Sequence, residues 1–164
     1  MNFQVKRDNS QNWQKKHSKS IYTNYQKSEY FEKYWKKIKT IYEKKYDLMF
    51  DINLDLIKLF LDIFNINKKI VLSSELHIQK TKSDRILEIC TSLNADIYLS
   101  GEMGKTYLKE DDFKRNHIDV IYQNFQHPEY RQVYKPFIPN MSFIDLLFNE
   151  GDYSLKIIQD AKNV

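Results

Sequence analysis

"DIYLSGEMGKTYL", Asp96 to Leu108, is the stretch on which the fold turns. The apolar run Ile97 to Leu99 ends in Ser100 and Gly101, and Gly104 is followed at once by Lys105 and Thr106. A β-favouring run that breaks into glycines and a lysine is how a strand feeds a phosphate-binding loop. The full loop needs four residues between its first glycine and the Gly-Lys pair, so that successive backbone N–H groups wrap the phosphates. Here Gly101 and Gly104 enclose two, and Leu99 stands where the first glycine belongs. That match fails. What remains is a strand end carrying Ser100, Gly101, Gly104 and Lys105, at the carboxyl edge where α/β sheets place their ligands.

The flanks fit such a sheet. "SDRILEICTSLN" carries Ile86, Leu87, Ile89, Cys90 and Leu93 on one helical face, "LKEDDFKRN" reads as a short surface helix, and "HIDVIYQNF" as a strand. "KKIVLSSEL" upstream is a short β-branched run and is expected to be a first strand. Strand, helix, strand, helix, strand is the order of βαβ units and a parallel sheet. Ser73 and Glu75 then close the first strand, where their side chains either cap the turn or reach a ligand. His127 and Tyr130 follow the third strand in "QNFQHPEY"; a histidine there suits acid–base work or a structural hydrogen bond.

Before the sheet the chain is helical and aromatic. Trp13, His17, Ile21 and Tyr25 recur every four residues, and Tyr30, Phe31, Tyr34, Trp35, Ile38, Ile41 and Tyr42 keep the helical period beyond the joint "KSEY". At that spacing the aromatics form a core with lysines on the far face, rather than a stacking platform for nucleic acid. "NLDLIKLFLDIF" continues as a helix with Asn53 as its expected N-cap. At the other end "HPEYRQVYKPFIPNM" holds all three prolines and reads as extended loop. "SFIDLLFNEG" reads as a helix closed by Gly151, and "DYSLKIIQDA" as one more. Asp145 is the odd charge in an apolar segment; with Ser142 three residues before it, a capping-box start accounts for it.

Composition bounds the rest. A chain of 164 residues with 41% hydrophobic and 15% aromatic content fits a single domain, helical over 1–66 and βαβ-like over 67–164. The net charge of +4, with its basic excess before Asp47, suits a solvated surface or a phosphorylated ligand. Cys90 is the lone cysteine, which excludes an intrachain disulfide and points to a reducing, cytoplasmic compartment. His17, His77 and His117 have no metal-binding spacing, no cofactor is implied, and the most apolar run is broken by Lys58 and Asp62, which argues against membrane insertion. The fold expected is α/β, a short parallel sheet with packed helices, preceded by an aromatic-rich helical region.

Taken together, "DNSQNWQKKHSKSIYTNY", "YFEKYW", "SSEL", "DIYLSGEMGKTYL", "VIYQNFQHPEY" and "FIPNMSFIDLLFNEG" resemble the C-terminal two thirds of the WbqC-like protein family. The similarity runs from about Val5 to Leu155. It implies a role in bacterial surface glycans such as O-antigen and lipopolysaccharide, on activated sugars, with transfer of an acyl or aminoacyl group to an amino sugar. A nucleotide-linked sugar or other phosphorylated small molecule is then the expected ligand. Lys105 would contact the anion, Ser100, Gly101 and Gly104 would line the pocket, His127 would be the acid or base, and Ser73, Glu75 and Tyr130 would stand by. Family members usually begin with a further segment bearing a Gln-Pro-Tyr-Phe-Pro-like strand, an Asp-Asp pair and a Trp-Asn-Arg run. None of these is in this sequence, so a truncated member is expected. Two other readings stay open: a non-catalytic remnant that binds a ligand or partner, and a nucleic-acid-binding protein, the less favoured of the two.

Overall fold

A computed structural model describes residues 12–161; the opening run "MNFQVKRDNSQ" and residues 162–164 lie outside the described residues. The chain is divided into two compact units, one holding the residues up to Asn67 together with His127–Asp160, the other holding Lys68–Gln126.

The first unit is built on α1 (Trp13–Tyr25), α2 (Phe31–Glu43) and α3 (Met49–Ile63), joined late in the chain by α6 (Phe143–Glu150) and α7 (Ser154–Asp160). Phe31, Tyr34, Ile38 and Ile41 are the buried residues of α2, at the three-and-four spacing that makes one apolar stripe. Phe31, Tyr34 and Ile38 pack with Leu147 and Phe148 of α6 into the main core. Phe31 stacks on Trp35 at 5.2 Å and meets the edge of Tyr22 at 5.5 Å, while Phe143 is held between Phe60 at 4.6 Å and Phe64 at 5.0 Å. The aromatic face of the first helices is thus largely spent on packing.

A second cluster, Ile41, Tyr46 and Ile52, ties α2 to α3. It also explains why α3 begins at Met49, with Leu48 in the N-cap position, and not at Asn53 as expected. Burying Ile52 recruits the turn before Asn53 into the helix. Helix ends elsewhere are satisfied at long range: the Gln14 amide donates to the Tyr42 and Lys44 carbonyls at 2.9 and 2.7 Å, closing the carboxyl end of α2.

Two carboxylates staple this unit in the same way. Asp55 accepts from Lys44 Nζ at 2.8 Å and from the Tyr46 hydroxyl at 2.7 Å. Asp152 accepts from Lys33 and, at 2.5 Å, from the Tyr34 hydroxyl. The lysine and then the tyrosine hold each carboxylate below its ordinary range. Burial first, and the Asp152 bond second, push the Tyr34 phenol up to about 12.

The second unit carries α4 (Lys82–Ser92), β1 (Ile97–Ser100), α5 (Glu110–Arg115) and β2 (Asp119–Tyr122). β1 and β2 pair in parallel, with Ile97 opposite Asp119 and Ser100 opposite Tyr122. Cys90, Phe113 and Ile118 form the core, with Tyr98 stacked on Phe113 at 5.8 Å. This is the expected α/β arrangement, reduced to two strands among the described residues. The β-branched run before "SSEL" does not make the third. There the Glu75 N–H closes a turn on the Leu72 carbonyl at 2.9 Å, and the Arg85 guanidinium donates to the Ile78 carbonyl at 3.1 Å and the Ser73 hydroxyl at 3.3 Å. Local side-chain bonds have outcompeted a ladder.

With three glycines in the chain, left-handed helix ends fall to other residues. Asn65, Asn94 and His117 have φ of 52°, 50° and 58° just past α3, α4 and α5. Each sits in a Schellman closure; past α4, the Ala95 N–H reaches the Cys90 carbonyl at 2.9 Å and the Asn94 N–H the Thr91 carbonyl at 3.1 Å. Gly151 does close α6, as the sequence implies, at φ 58° and ψ −128°. A Cβ there would lie 2.4 to 2.7 Å from the Tyr30 ring.

Two outcomes follow from this packing. Gly151→Ala should lose roughly 2–4 kcal/mol of stability in urea unfolding, from positive φ and the clash together; an unchanged midpoint would contradict the Tyr30 contact. For Asp55, a folded-state pKa below the unfolded value of about 3.9 means that its contribution is complete above that pH and lost as pH falls through the folded value. The midpoint difference between wild type and Asp55→Asn should therefore shrink between pH 6 and pH 3, from at most about 1 kcal/mol for so exposed a pair.

Candidate functional site

The expected site residues belong to both units. Ser100, Gly101, Gly104 and Lys105 lie together where β1 ends and a short 3-10 turn, Glu102–Thr106, begins. Ser100 is buried and its hydroxyl donates to the Gly101 carbonyl at 3.0 Å. Gly104 packs directly on it: a Cβ would stand 2.0 Å from Ser100 Oγ and 3.0 Å from Leu108 Cδ1. These two residues lock the turn to the strand. Gly101 has extended backbone, φ −68° and ψ 161°, and open space around its missing Cβ. Lys105 is exposed, pairs with Glu102 at 2.7 Å and lies 5.2 Å from the Tyr122 ring centre. The Tyr122 hydroxyl in turn donates to Glu110 at 2.6 Å, and that bond raises the phenol to about 12.

Ser73 and Glu75 have local duties. The Ser73 hydroxyl accepts from Arg85, and the Glu75 carboxylate accepts from the Leu72 N–H at 3.4 Å. Both side chains fix the turn that replaces the expected strand.

The first unit holds the better-formed cavity, about 430 Å³, between α1, the proline-bearing loop and α6. That is within the range of small-molecule pockets, about 300–1,000 Å³. Ile21, Val133, Ile138 and Met141 supply apolar wall, and Tyr25, Gln132, Asp145 and Asn149 supply polar lining. Asp145 is 5% exposed. Its Oδ2 accepts from the Tyr130 hydroxyl at 2.8 Å and from Gln132 Nε2 at 2.8 Å. Gln132 closes a pair with Ile138, donating to its carbonyl at 2.9 Å and accepting from its N–H at 2.8 Å. Burial first and the negative charge of Asp145 second push the Tyr25 phenol up to about 12. Burial and the Asp145 bond raise Tyr130 as well.

This corrects the capping-box account of Asp145. Its backbone N–H does reach the Ser142 carbonyl at 2.8 Å, but Ser142 makes no side-chain cap and the carboxylate turns to Tyr130 and Gln132. The reason is the burial of Asp145 to Asn149 in α6, which leaves the carboxylate to find its donors among the side chains packed on it. Tyr130, expected only as a stand-by, touches the cavity's central charge. His127 lies beside it, ring centres 6.1 Å apart, and its Nε2 accepts the Asn140 N–H at 3.2 Å. The lone pair a general base would use at that nitrogen is engaged in holding the loop. Tyr25, Gln132 and Asn149 escape sequence reasoning; the signal that was present is the Asp145/Asn149 pair, four residues apart in an apolar helix.

Among the described residues no group of His, Cys, Asp and Glu could hold a metal ion, and no helix is long and apolar enough to cross a membrane.

The two glycines of the strand-end turn separate structure from ligand access. Gly104→Ala should lose roughly 1–3 kcal/mol by overpacking against Ser100, whereas Gly101→Ala should stay within about 0.5 kcal/mol of wild type or gain slightly. Urea midpoints of the two variants check this; equal losses would refute the packing assignment.

A relative in Mycobacterium tuberculosis, the uncharacterized protein Rv1507c, is 26% identical over 141 residues, covering 85% of this chain and 61% of its own length. The chain thus spans about three fifths of the curated relative it matches. No solved structure matches it. The model of the WbqC-like protein family matches residues 3–157, nearly the whole sequence. The chain, with its parallel β1/β2 pair and its buried Asp145 cavity, belongs to the WbqC-like protein family.

Proposed function

We propose that this protein works in bacterial surface-polysaccharide biosynthesis, of the O-antigen and lipopolysaccharide kind, where it binds a nucleotide-linked amino sugar and takes part in group transfer to its amino nitrogen. The observation that carries the proposal is the Asp145 carboxylate, 5% exposed and facing a cavity of about 430 Å³ with mixed polar and apolar lining. Such a lining suits a sugar, which offers hydroxyl edges and apolar C–H faces to one site.

In transfer of an acyl group from a thioester, a base takes a proton from the amine, nitrogen bonds to the carbonyl carbon, and the carbon–sulfur bond breaks to release thiolate. Asp145 is the group proposed to take that proton, with Tyr130 and Gln132 orienting it. His127 is proposed as a positioning residue beside Tyr130, since its Nε2 is engaged by Asn140. In the second unit, taken by itself, Lys105 is proposed as an anion contact: its exposed pair with Glu102 is worth little and opens readily to a phosphate. Gly101, which the packing leaves free of neighbours, lets a ligand approach the backbone there.

Thermal unfolding of the chain with a panel of nucleoside-diphosphate amino hexoses tests this reading. A ligand at a hundred times its dissociation constant adds about 2.7 kcal/mol, so one member of the panel should raise the midpoint by several degrees. A cooperative transition that no member moves would overturn the proposal.

A further inference from the structure

The Asp145 carboxylate is the charged group of the cavity, and its hydrogen-bond donors are neutral. Gln132 has committed both sides of its amide, to Ile138 and to Asp145 Oδ2. The Tyr130 hydroxyl is given to the same Oδ2, and the Tyr25 hydroxyl also hydrogen-bonds the Asp145 carboxylate. Asn149 gives an amide N–H to the Asp145 backbone carbonyl at 2.7 Å, and Asn24 gives one to the Ser20 carbonyl at 2.8 Å; the side-chain oxygen of each is an acceptor beside its second N–H.

Charge in the cavity is one-sided. Among the described residues, those lining it include no Lys, Arg or His. Arg131, the guanidinium that reaches the Asn149 carbonyl at 3.0 Å, is paired with Glu29 at 2.6 Å and lies 3.9 Å from Glu150. A carboxylate withdrawn from water and held only by neutral donors is costly, and a partner that brings positive charge and several N–H groups offsets that cost. In such a site the attraction is stronger than in bulk water.

From this geometry we infer that the cavity recognises a primary ammonium group, held at the Asp145 carboxylate with the side-chain oxygen of Asn149 as a further acceptor. An ammonium brings the positive charge that this lining lacks, with three donors for the carboxylate and the Asn149 oxygen. The inference deepens the function proposed above and rests on it for the ligand's identity as a sugar bearing a free amino group; the ammonium contact is testable by itself.

Calorimetric titration of the full chain with D-glucosamine, D-glucose and N-acetyl-D-glucosamine separates charge from shape. Glucosamine should bind about tenfold or more tightly than either neutral sugar, a factor equivalent to about 1.4 kcal/mol. Asp145→Asn keeps an oxygen for Tyr130 and Gln132 but removes the charge, so it should stay folded and lose the preference. Equal affinities for the three sugars, no binding of glucosamine, or a preference that survives in Asp145→Asn would each overturn the inference. The wild-type comparison decides the matter even if the variant misfolds. Glucosamine binding without any response to nucleotide-linked sugars would sink the functional proposal and leave the ammonium site standing.

Discussion

Phe31 and Phe148 meet with ring centres 5.0 Å apart, neither with any exposed surface, and the first unit is arranged around that contact. Aromatic pairs in such a tilted geometry add about 0.5–1.5 kcal/mol to what their buried area supplies. Its larger effect is positional. Seating Phe148 and Leu147 against α2 sinks α6 so deeply that five consecutive residues, Asp145 to Asn149, are buried. Two of the five are polar. A helix buried on all sides must satisfy such side chains inside, so the loop from Tyr130 to Ile138 is drawn in to meet Asp145, and the cavity is what lies between that loop and α1.

Much of the frame is legible in the sequence because it is periodic. The stripe of α2 and the strand–helix–strand run around Phe113 are patterns a linear reading sees directly. The run at "KIVLSSEL" misleads because β-branched composition says nothing about Arg85, which is well downstream and binds Ser73 into a turn. Asn53 misleads for a related reason. Capping residues mark helix starts only when tertiary burial does not extend the helix past them, and Ile52 does so here.

The site is less legible than the frame. Asp145 is conspicuous as a charge among apolar neighbours, yet a serine three residues before it supplies a local explanation that the packed helix does not use. Gln132 and Tyr25 carry no local mark at all. They matter because the proline-bearing loop and α1 converge on α6, and convergence of distant segments has no signature in one sequence. The glycines of the strand-end turn divide in the same way: Gly104 is required by Ser100 beneath it, whereas nothing in the packing requires Gly101.

The order in which the chain emerges during synthesis gives the discontinuous first unit a further meaning. Its early helices come first, Lys68–Gln126 follows, and α6 arrives near the end. The middle segment can close Cys90, Phe113 and Ile118 from contiguous sequence. Phe31, Tyr34 and Ile38 must wait for Leu147 and Phe148. Loop closure over so long a span is slow, and an uncovered aromatic stripe is the kind of surface on which nascent chains associate. The lysines interleaved along α2, at Lys33, Lys36, Lys37 and Lys39, then serve as guards as well as solvated surface, keeping like-charged nascent chains apart until α6 covers the stripe.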